Sequence, residues 1–251
     1  CVEGHIFCEW PSTSVHHVKA VGGYAPDRIE VVQSAMECTW NQYGQKVTLY
    51  PWPTSWTQYL VAYGGDENDD IYGSHNRDYF YGQNNDDDYF GRGGNDYFYG
   101  GYGADRTYCG TGSVHAYGGW GNDLIDCHEP GTGACSGEYD YMYGEQGTDT
   151  YQASDKGSLM DDISTQTSGN VFYGGNGTYY AECVDWIVGD NGPDEVYAGN
   201  GDDHVEMKDG ADFIVAEGGW DYILAGPGDD CIIGDYLRSD GSGDVLLHAG
   251  I

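Results

Sequence analysis

Aspartate returns every nine residues over most of the chain, and this spacing is the feature of the sequence best able to do chemistry. From Gly64 the residues fall into rows of nine, and Gly118–Asp126 (GGWGNDLID) fits the pattern G-G-x-G-x-D-x-U-x completely, where U is apolar. Carboxylates and backbone carbonyls supply only oxygen ligands, which suit the hard cation Ca²⁺. The sixth-position aspartates, which we expect to bind several Ca²⁺ ions, are Asp69, Asp78, Asp87, Asp96, Asp105, Asp123, Asp185, Asp194, Asp203, Asp212, Asp221 and Asp230.

These aspartates can share ions only if the rows stack. Strands that alternate between two sheets would place turns eighteen residues apart in sequence about 4.8 Å apart in space. The predicted pairs are Asp69 with Asp87, Asp87 with Asp105, Asp105 with Asp123, Asp78 with Asp96, Asp185 with Asp203, Asp203 with Asp221, Asp194 with Asp212, and Asp212 with Asp230. Val114 stands where an aspartate is expected, and it predicts a gap in the stack that contains Asp78 and Asp96.

The rows resemble the RTX (repeat-in-toxin) or haemolysin-type calcium-binding family over roughly residues 63–247. The resemblance implies an all-β fold, a right-handed parallel β-roll. Each repeat would supply a calcium-binding turn from its first six residues and a short strand from its last three. The sequence departs from the family pattern because few rows keep all three glycines, Tyr179 replaces an aspartate and Asn170 is a weaker substitute for one.

The apolar eighth position of each row should point into the roll and form a thin core. Burying one such side chain contributes about 1.5 to 3 kcal/mol, whereas ordering each backbone residue costs about 1 to 2 kcal/mol. One core residue in nine cannot offset that cost, so metal and disulfides must contribute. We therefore expect the chain to be unfolded without Ca²⁺ and folded with it. The expected core residues are Ile71, Phe80, Tyr89, Phe98, Ile125, Val196, Val205, Ile214, Ile223 and Ile232.

Charge separates the first 62 residues from the rest. The chain has a net charge of -33, with 42 acidic and 9 basic residues. Residues 1–62 have five acids and three bases, so nearly all the charge belongs to residues 63–251. This division predicts a small disulfide-pinned β cap over 1–62 and the calcium-binding roll over 63–251. The charge makes nucleic acid and anionic membrane improbable partners, and no run of 18 apolar residues is present for membrane insertion.

The cysteines indicate an oxidising compartment. Eight cysteines can form up to four disulfides, whose pairing the sequence leaves open, and we expect a secreted, extracellular protein. The sequon Asn176-Gly177-Thr178 could carry an N-glycan at Asn176.

The outward positions of the rows suggest a role beyond calcium. One face would display His115 with the tyrosines Tyr79, Tyr81, Tyr97, Tyr99 and Tyr117. Such a face is either a partner surface or a set of cross-strand neighbours that stabilise the sheet.

We find no nucleophile elbow, HExxH or P-loop motif and expect no enzymatic activity. The sequence favours a structural protein, an extracellular matrix, adhesive or filament subunit that self-associates; the alternative is a calcium-dependent glycan-binding module that uses the tyrosine face.

Overall fold

The computed structural model describes residues 61–73, 75–127, 140–153, 158–161, 169–174 and 184–234 in full. It also gives the strand backbone at 17–21, 28–32, 35–40, 45–49, 59–60 and 244–249. Every regular element in these residues is a β-strand, and none of them forms a helix that could span a membrane. The chain forms two compact units, Cys1–Trp120 and Gly121–Ile251.

The first unit is built from two sheets that take alternate rows of the sequence. All pairings are parallel except those of the strand Ala35–Trp40, which is antiparallel to Arg28–Val32 and to Gln45–Leu49. One sheet contains, in order, β1 (His17–Val21), β5 (Tyr59–Gly65), β7 (Tyr79–Asn84), β9 (Asp96–Tyr102) and β11 (Val114–Trp120). The other contains β10 (Arg106–Tyr108), β8 (Asp88–Phe90), β6 (Asp70–Tyr72), β2 (Arg28–Val32), β3 (Ala35–Trp40) and β4 (Gln45–Leu49).

The second unit repeats this arrangement with parallel pairing throughout. One sheet contains β13 (Asp140–Gln146), β15 (Ser158–Asp161), β17 (Trp186–Val188), β19 (His204–Glu206), β21 (Trp220–Gly226) and β23 (Asp244–Ala249). The other contains β12 (Leu124–Asp126), β14 (Thr150–Gln152), β16 (Val171–Tyr173), β18 (Glu195–Tyr197), β20 (Phe213–Val215) and β22 (Cys231–Ile233). The predicted parallel β-roll is confirmed.

The core consists mainly of the apolar residues predicted at the eighth position of the rows, which form one column in each sheet. In most of the three-residue strands the central residue is buried and its two neighbours are partly exposed, because side chains alternate along a strand. Phe80 pairs with Phe98 and Ile71 with Tyr89, so each core residue stacks on the one eighteen residues later. Ile232, predicted to be buried, is partly exposed in β22, the last strand of its sheet.

Insertions between rows leave the strand register intact. Leu124 pairs with Thr150 and Thr150 with Val171, although more than eighteen residues separate each pair. The extra residues therefore lie between strands.

Near the N-terminus, β1 pairs with β5 and β2 with β6, so strands from residues 1–62 extend both sheets of the first unit. The compact units divide at Trp120, and a separate cap over 1–62 stays a prediction.

Candidate metal centre

The sixth-position aspartates of the first unit form two columns of buried carboxylates. The backbone N–H of Asp69 donates to Oδ1 of Asp87 at 2.8 Å, and the N–H of Asp87 donates to Oδ1 of Asp105 at 2.8 Å. In the second column the N–H of Asp78 donates to Oδ1 of Asp96, again at 2.8 Å. All five residues are at most 2% exposed. Each carboxylate is thus tied to the turn before it, and we call such a column a carboxyl ladder.

The second unit also carries two carboxyl ladders, one of six residues and one of three. In one, the N–H of each residue donates to the side-chain Oδ1 of the next, at 2.8 to 3.1 Å, through Asp123, Asp149, Asn170, Asp194, Asp212 and Asp230. In the other, Asp185 donates to Asp203 and Asp203 to Asp221 in the same way. Apart from the partly exposed Asp230, these residues are buried. The predicted pairs within each unit therefore lie on adjacent turns.

The structure adds buried polar residues that the nine-residue spacing did not supply. Asp149 joins one ladder, and the register places Asp140 beside Ser158, both buried at sixth-position sites. Asp149 had a usable signal, because Gly144–Gln152 reads GEQGTDTYQ and keeps the first and fourth glycines. Asp140 and Ser158 follow insertions and have no such signal. Asn170 takes its expected place, whereas Tyr179 lies outside the described residues.

One oxygen of several ladder carboxylates needs a partner that the described protein atoms do not supply. Oδ2 of Asp96, Asp203 and Asp212 is buried and accepts no hydrogen bond from the described residues. An isolated ionised carboxylate is costly to bury, so it must gain a cation or a proton.

Backbone carbonyls approach the same carboxylates in the first unit. A Cβ placed on Gly73 would lie 2.5 Å from the Gly91 carbonyl oxygen and 3.0 Å from Oδ2 of Asp78. A Cβ on Gly64 would lie 2.5 Å from Oδ2 of Asp69 and 2.9 Å from the Gly82 carbonyl oxygen. Only glycine leaves this space open, and both kinds of oxygen border it.

This set of oxygens fits Ca²⁺. Among the described residues no three His, Cys, Asp or Glu side chains form a metal-type cluster. Two stacked carboxylates and neighbouring carbonyls remain as ligands, a composition that suits Ca²⁺ and not a nitrogen- or sulfur-seeking metal. A cation bound there would neutralise the negative charge of the buried carboxylates.

Burial changes the acidity of the ladders. Desolvation, reinforced by the charge of Asp78, raises the pKa of Asp96 to about 9. Desolvation likewise raises the pKa of Asp87 to about 8 and that of Asp105 to about 7, although backbone hydrogen bonds to the carboxylates oppose the shift. In a metal-free fold burial would therefore favour the protonated carboxyl groups, and a bound cation would favour the ionised ones.

The predicted gap coincides with Val114. The register sets Val114 beside Asp96, and the valine is fully buried, so this step of the ladder has no carboxylate.

Cys109, at the start of the same row, is disulfide-bonded, as is Cys127. Cys231 is an exposed free thiol. The glycosylation candidate Asn176 lies outside the described residues.

The tyrosine face stacks into regular columns, which we call aromatic ladders. Tyr81 lies between Tyr63 and Tyr99 with ring centroids 4.9 and 5.0 Å away, and Tyr99 continues to Tyr117 at 5.0 Å. Beside this column, Tyr79, Tyr97 and His115 stack at 5.0 and 4.8 Å. The rings are partly exposed. Their role as an interface stays a prediction.

Aromatic ladders are more widespread than the sequence suggested. The opposite sheet of the first unit has its own, Tyr72, Phe90 and Tyr108, with centroids 4.5 and 4.9 Å apart. In the second unit His204 stacks between Trp186 and Tyr222 at 4.0 and 4.8 Å. In the sequence Tyr72, Phe90 and Tyr108 alternate with the charged residues Asp70, Asp88 and Arg106, so only the tyrosine-rich side was interpreted as an aromatic ladder.

Comparison with known proteins gives one match. A family model described as RTX calcium-binding nonapeptide repeat (4 copies) matches residues 63–98, 81–113, 99–126, 184–206 and 208–235. All twelve predicted sixth-position aspartates lie within these ranges, whereas Asp140, Asp149, Ser158 and Asn170 lie outside them. No curated protein and no solved structure shows a significant match to the chain.

Proposed function

Because the chain carries RTX calcium-binding nonapeptide repeats, we propose that it is an extracellular structural protein whose β-roll folds and stiffens when Ca²⁺ binds. The proposal rests above all on the carboxyl ladders, where buried oxygens of Asp96, Asp203 and Asp212 accept no hydrogen bond from the described residues. We assign Ca²⁺ to the predicted sixth-position aspartates together with Asp140 and Asp149. The proposal includes no catalytic step.

Electrostatics explains why such a protein would respond to Ca²⁺. The ladders stack carboxylates on adjacent turns, and the whole chain carries a net charge of -33. Ionised and without metal, these groups repel one another across a poorly hydrated interior. Each Ca²⁺ cancels two charges and links two turns, so the free energy of binding becomes free energy of folding.

The disulfide-bonded cysteines and the requirement for Ca²⁺ both support a secreted protein. Cys109 and Cys127 are disulfide-bonded and buried, and such bonds persist in oxidising compartments. Extracellular calcium modules commonly work with Kd values of about 10⁻⁴ to 10⁻³ M. A roll with many sites of that strength would stay unfolded in a calcium-poor cell and fold after export.

The aromatic ladders support a role in assembly. Partly exposed aromatic rings line both sheets of the first unit at regular spacing. Surfaces of this kind suit association with a second copy or with matrix, because tyrosine combines apolar area with a hydroxyl group. We place self-association at the tyrosine face, Tyr79, Tyr81, Tyr97, Tyr99 and Tyr117.

Electron microscopy with sedimentation velocity tests the structural role. The calcium-loaded chain should form filaments or larger assemblies that dissolve in chelator. Replacing Tyr81 and Tyr99 by serine should weaken assembly and leave calcium-induced folding intact, whereas the matched change Tyr72→Ser on the opposite sheet should have less effect. Monodisperse calcium-loaded protein at high concentration would refute the assembly role.

A second candidate function is calcium-dependent glycan binding. The predicted tyrosine face is poorly suited to it, because the planes of Tyr81, Tyr99 and Tyr117 are within 4° of parallel and the rings cover each other's faces. The observation that favours glycan binding lies elsewhere, in exposed aromatic rings on the turns of the first unit.

A further inference from the structure

Four consecutive turns of the first unit bring their third-position side chains into one line. Asn84 is in register with Tyr102, and Tyr102 with Trp120, at the ends of β7, β9 and β11. Asp66, which follows β5, continues the line through its hydrogen bond with Asn84. We call these four residues the turn strip. It is distinct from the carboxyl ladders, which are buried, and from the aromatic ladders on the sheets.

The two aromatic rings of the turn strip are open to solvent. Tyr102 is 59% exposed and Trp120 is 53% exposed. Their centroids are 5.8 Å apart and their planes are tilted by 42°, so neither ring covers the face of the other as the aromatic ladders do. Their immediate neighbours, Gly101 and Gly103 around Tyr102 and Gly119 and Gly121 around Trp120, have no side chains that could cover the rings.

Backbone geometry holds these rings outward. Gly101 and Gly119 precede the two aromatic residues and adopt φ of 116° and 110°. Because L side chains rarely adopt such angles, the glycines permit a turn that directs the next residue away from the core. A rigid exposed aromatic pair loses little conformational entropy when a ligand binds.

The other end of the turn strip is polar and fixed. Nδ2 of Asn84 donates a hydrogen bond to Oδ1 of Asp66 at 2.7 Å. This bond orients both side chains and leaves the second carboxylate oxygen of Asp66 and the amide oxygen of Asn84 as acceptors for hydroxyl donors. Aromatic rings beside a few oriented polar groups form the usual composition of a site for a small organic ligand.

We propose that the turn strip binds a neutral saccharide chain. The apolar face of a sugar ring would lie on Tyr102 and Trp120, and sugar hydroxyls would donate to Asp66 and Asn84. Three steps of about 4.8 Å between four turns make the turn strip roughly 14 Å long, which suits an oligosaccharide better than a single sugar. The acidic turns beside it, including Glu67 and Asp86, and the net charge of -33 exclude uronic and sulfated glycans by repulsion.

The inference rests on the proposed calcium-dependent folding and specifies the second candidate function. Isothermal titration of the calcium-loaded chain with cellohexaose, chitohexaose and mannohexaose tests it. At least one neutral oligosaccharide should bind, and Trp120→Ala and Tyr102→Ala should each weaken that binding by about tenfold or more. Trp220→Ala is the matched control, because Trp220 is 61% exposed but belongs to the second unit, and it should leave binding unchanged.

Folding must be measured on the same samples to separate this inference from the proposed function. Circular dichroism should show that the three variants fold with the same calcium midpoint as the parent chain. The saccharide site is refuted if no neutral oligosaccharide binds to protein that folds with calcium, or if Trp120→Ala binds as tightly as the parent. Binding that disappears only when Tyr81 and Tyr99 are replaced would also refute it. Failure of the parent chain to respond to calcium would count against the proposed function instead.

Discussion

At the scale of single residues, the sixth-position aspartates combine three properties that seldom occur together. Apart from the partly exposed Asp230 they are buried, they stack on one another, and in most of them one oxygen accepts a hydrogen bond from a backbone N–H of the preceding turn. The second oxygen of Asp203 is also buried and accepts no hydrogen bond from the described residues. Spacing predicted where these residues lie, but it could not show which oxygen the backbone engages.

The neighbouring residues Asp202 and Asp203 allow a calcium ligand to be compared with an exposed turn residue. Asp203→Asn removes one charge from a buried ladder while keeping the shape of the side chain, and it should raise the calcium concentration at the folding midpoint by about tenfold, because affinity follows ligand charge. Asp202→Asn is the control, since Oδ1 of Asp202 accepts the Trp220 N–H at 2.9 Å on the exposed side of the turn. Calcium titrations followed by circular dichroism give both midpoints. Equal shifts in the two variants would argue against a specific role for Asp203.

The acidity of the ladder predicts how calcium binding depends on pH. Burial raises the pKa of Asp96 to about 9 and that of Asp87 to about 8, from 3.8 in the unfolded chain. The metal-free fold therefore holds more protons than the unfolded chain, and its stability falls as pH rises from about 4 to about 9. Calcium folds a chain whose aspartates are already ionised above about pH 6, so the calcium concentration at the folding midpoint should change little between about pH 6 and about pH 9. Calcium titrations at these two pH values test this, and a tenfold or greater change of the midpoint would contradict it.

At the scale of turns and strands, the nine-residue repeat of the sequence predicted most of the observed structure. It predicted the strand triplets, the buried eighth position and the gap at Val114. It did not identify Asp140 and Ser158, because insertions interrupt the nine-residue spacing of the sequence but leave the strand register unchanged. It also could not show that tyrosines of one sheet would lie with nearly parallel rings, since ring orientation depends on packing between rows.

Strained turn residues offer a test of turn geometry. Glu145 adopts φ of 75°, where neighbouring rows often have glycine. Glu145→Gly should raise the free energy of unfolding by about 1 kcal/mol in saturating calcium, because a left-handed conformation costs a side chain about 1 to 2 kcal/mol and glycine recovers most of it. Thr150→Gly, in the strand of the same row, should instead lower stability by about 0.5 to 1 kcal/mol. Thermal unfolding measures both, and destabilisation by Glu145→Gly would contradict the turn geometry.

At the scale of the whole molecule, charge and fold depend on each other. A net charge of -33 on 251 residues would ordinarily oppose a compact state. The structure places many of the acids in ladders where one cation can neutralise two of them. The thin apolar core explains why this neutralisation matters, because one buried column in each sheet cannot balance the loss of chain entropy alone.

The most direct test of this account is the far-UV circular dichroism of the full chain, with disulfides intact, in excess chelator and then in increasing calcium. We predict little strand signal in chelator and a cooperative gain of strand signal with calcium, while magnesium at the same concentrations has a much smaller effect because it demands a stricter octahedral geometry. A full strand spectrum in chelator, unchanged by calcium, would contradict the claim that calcium folds the β-roll.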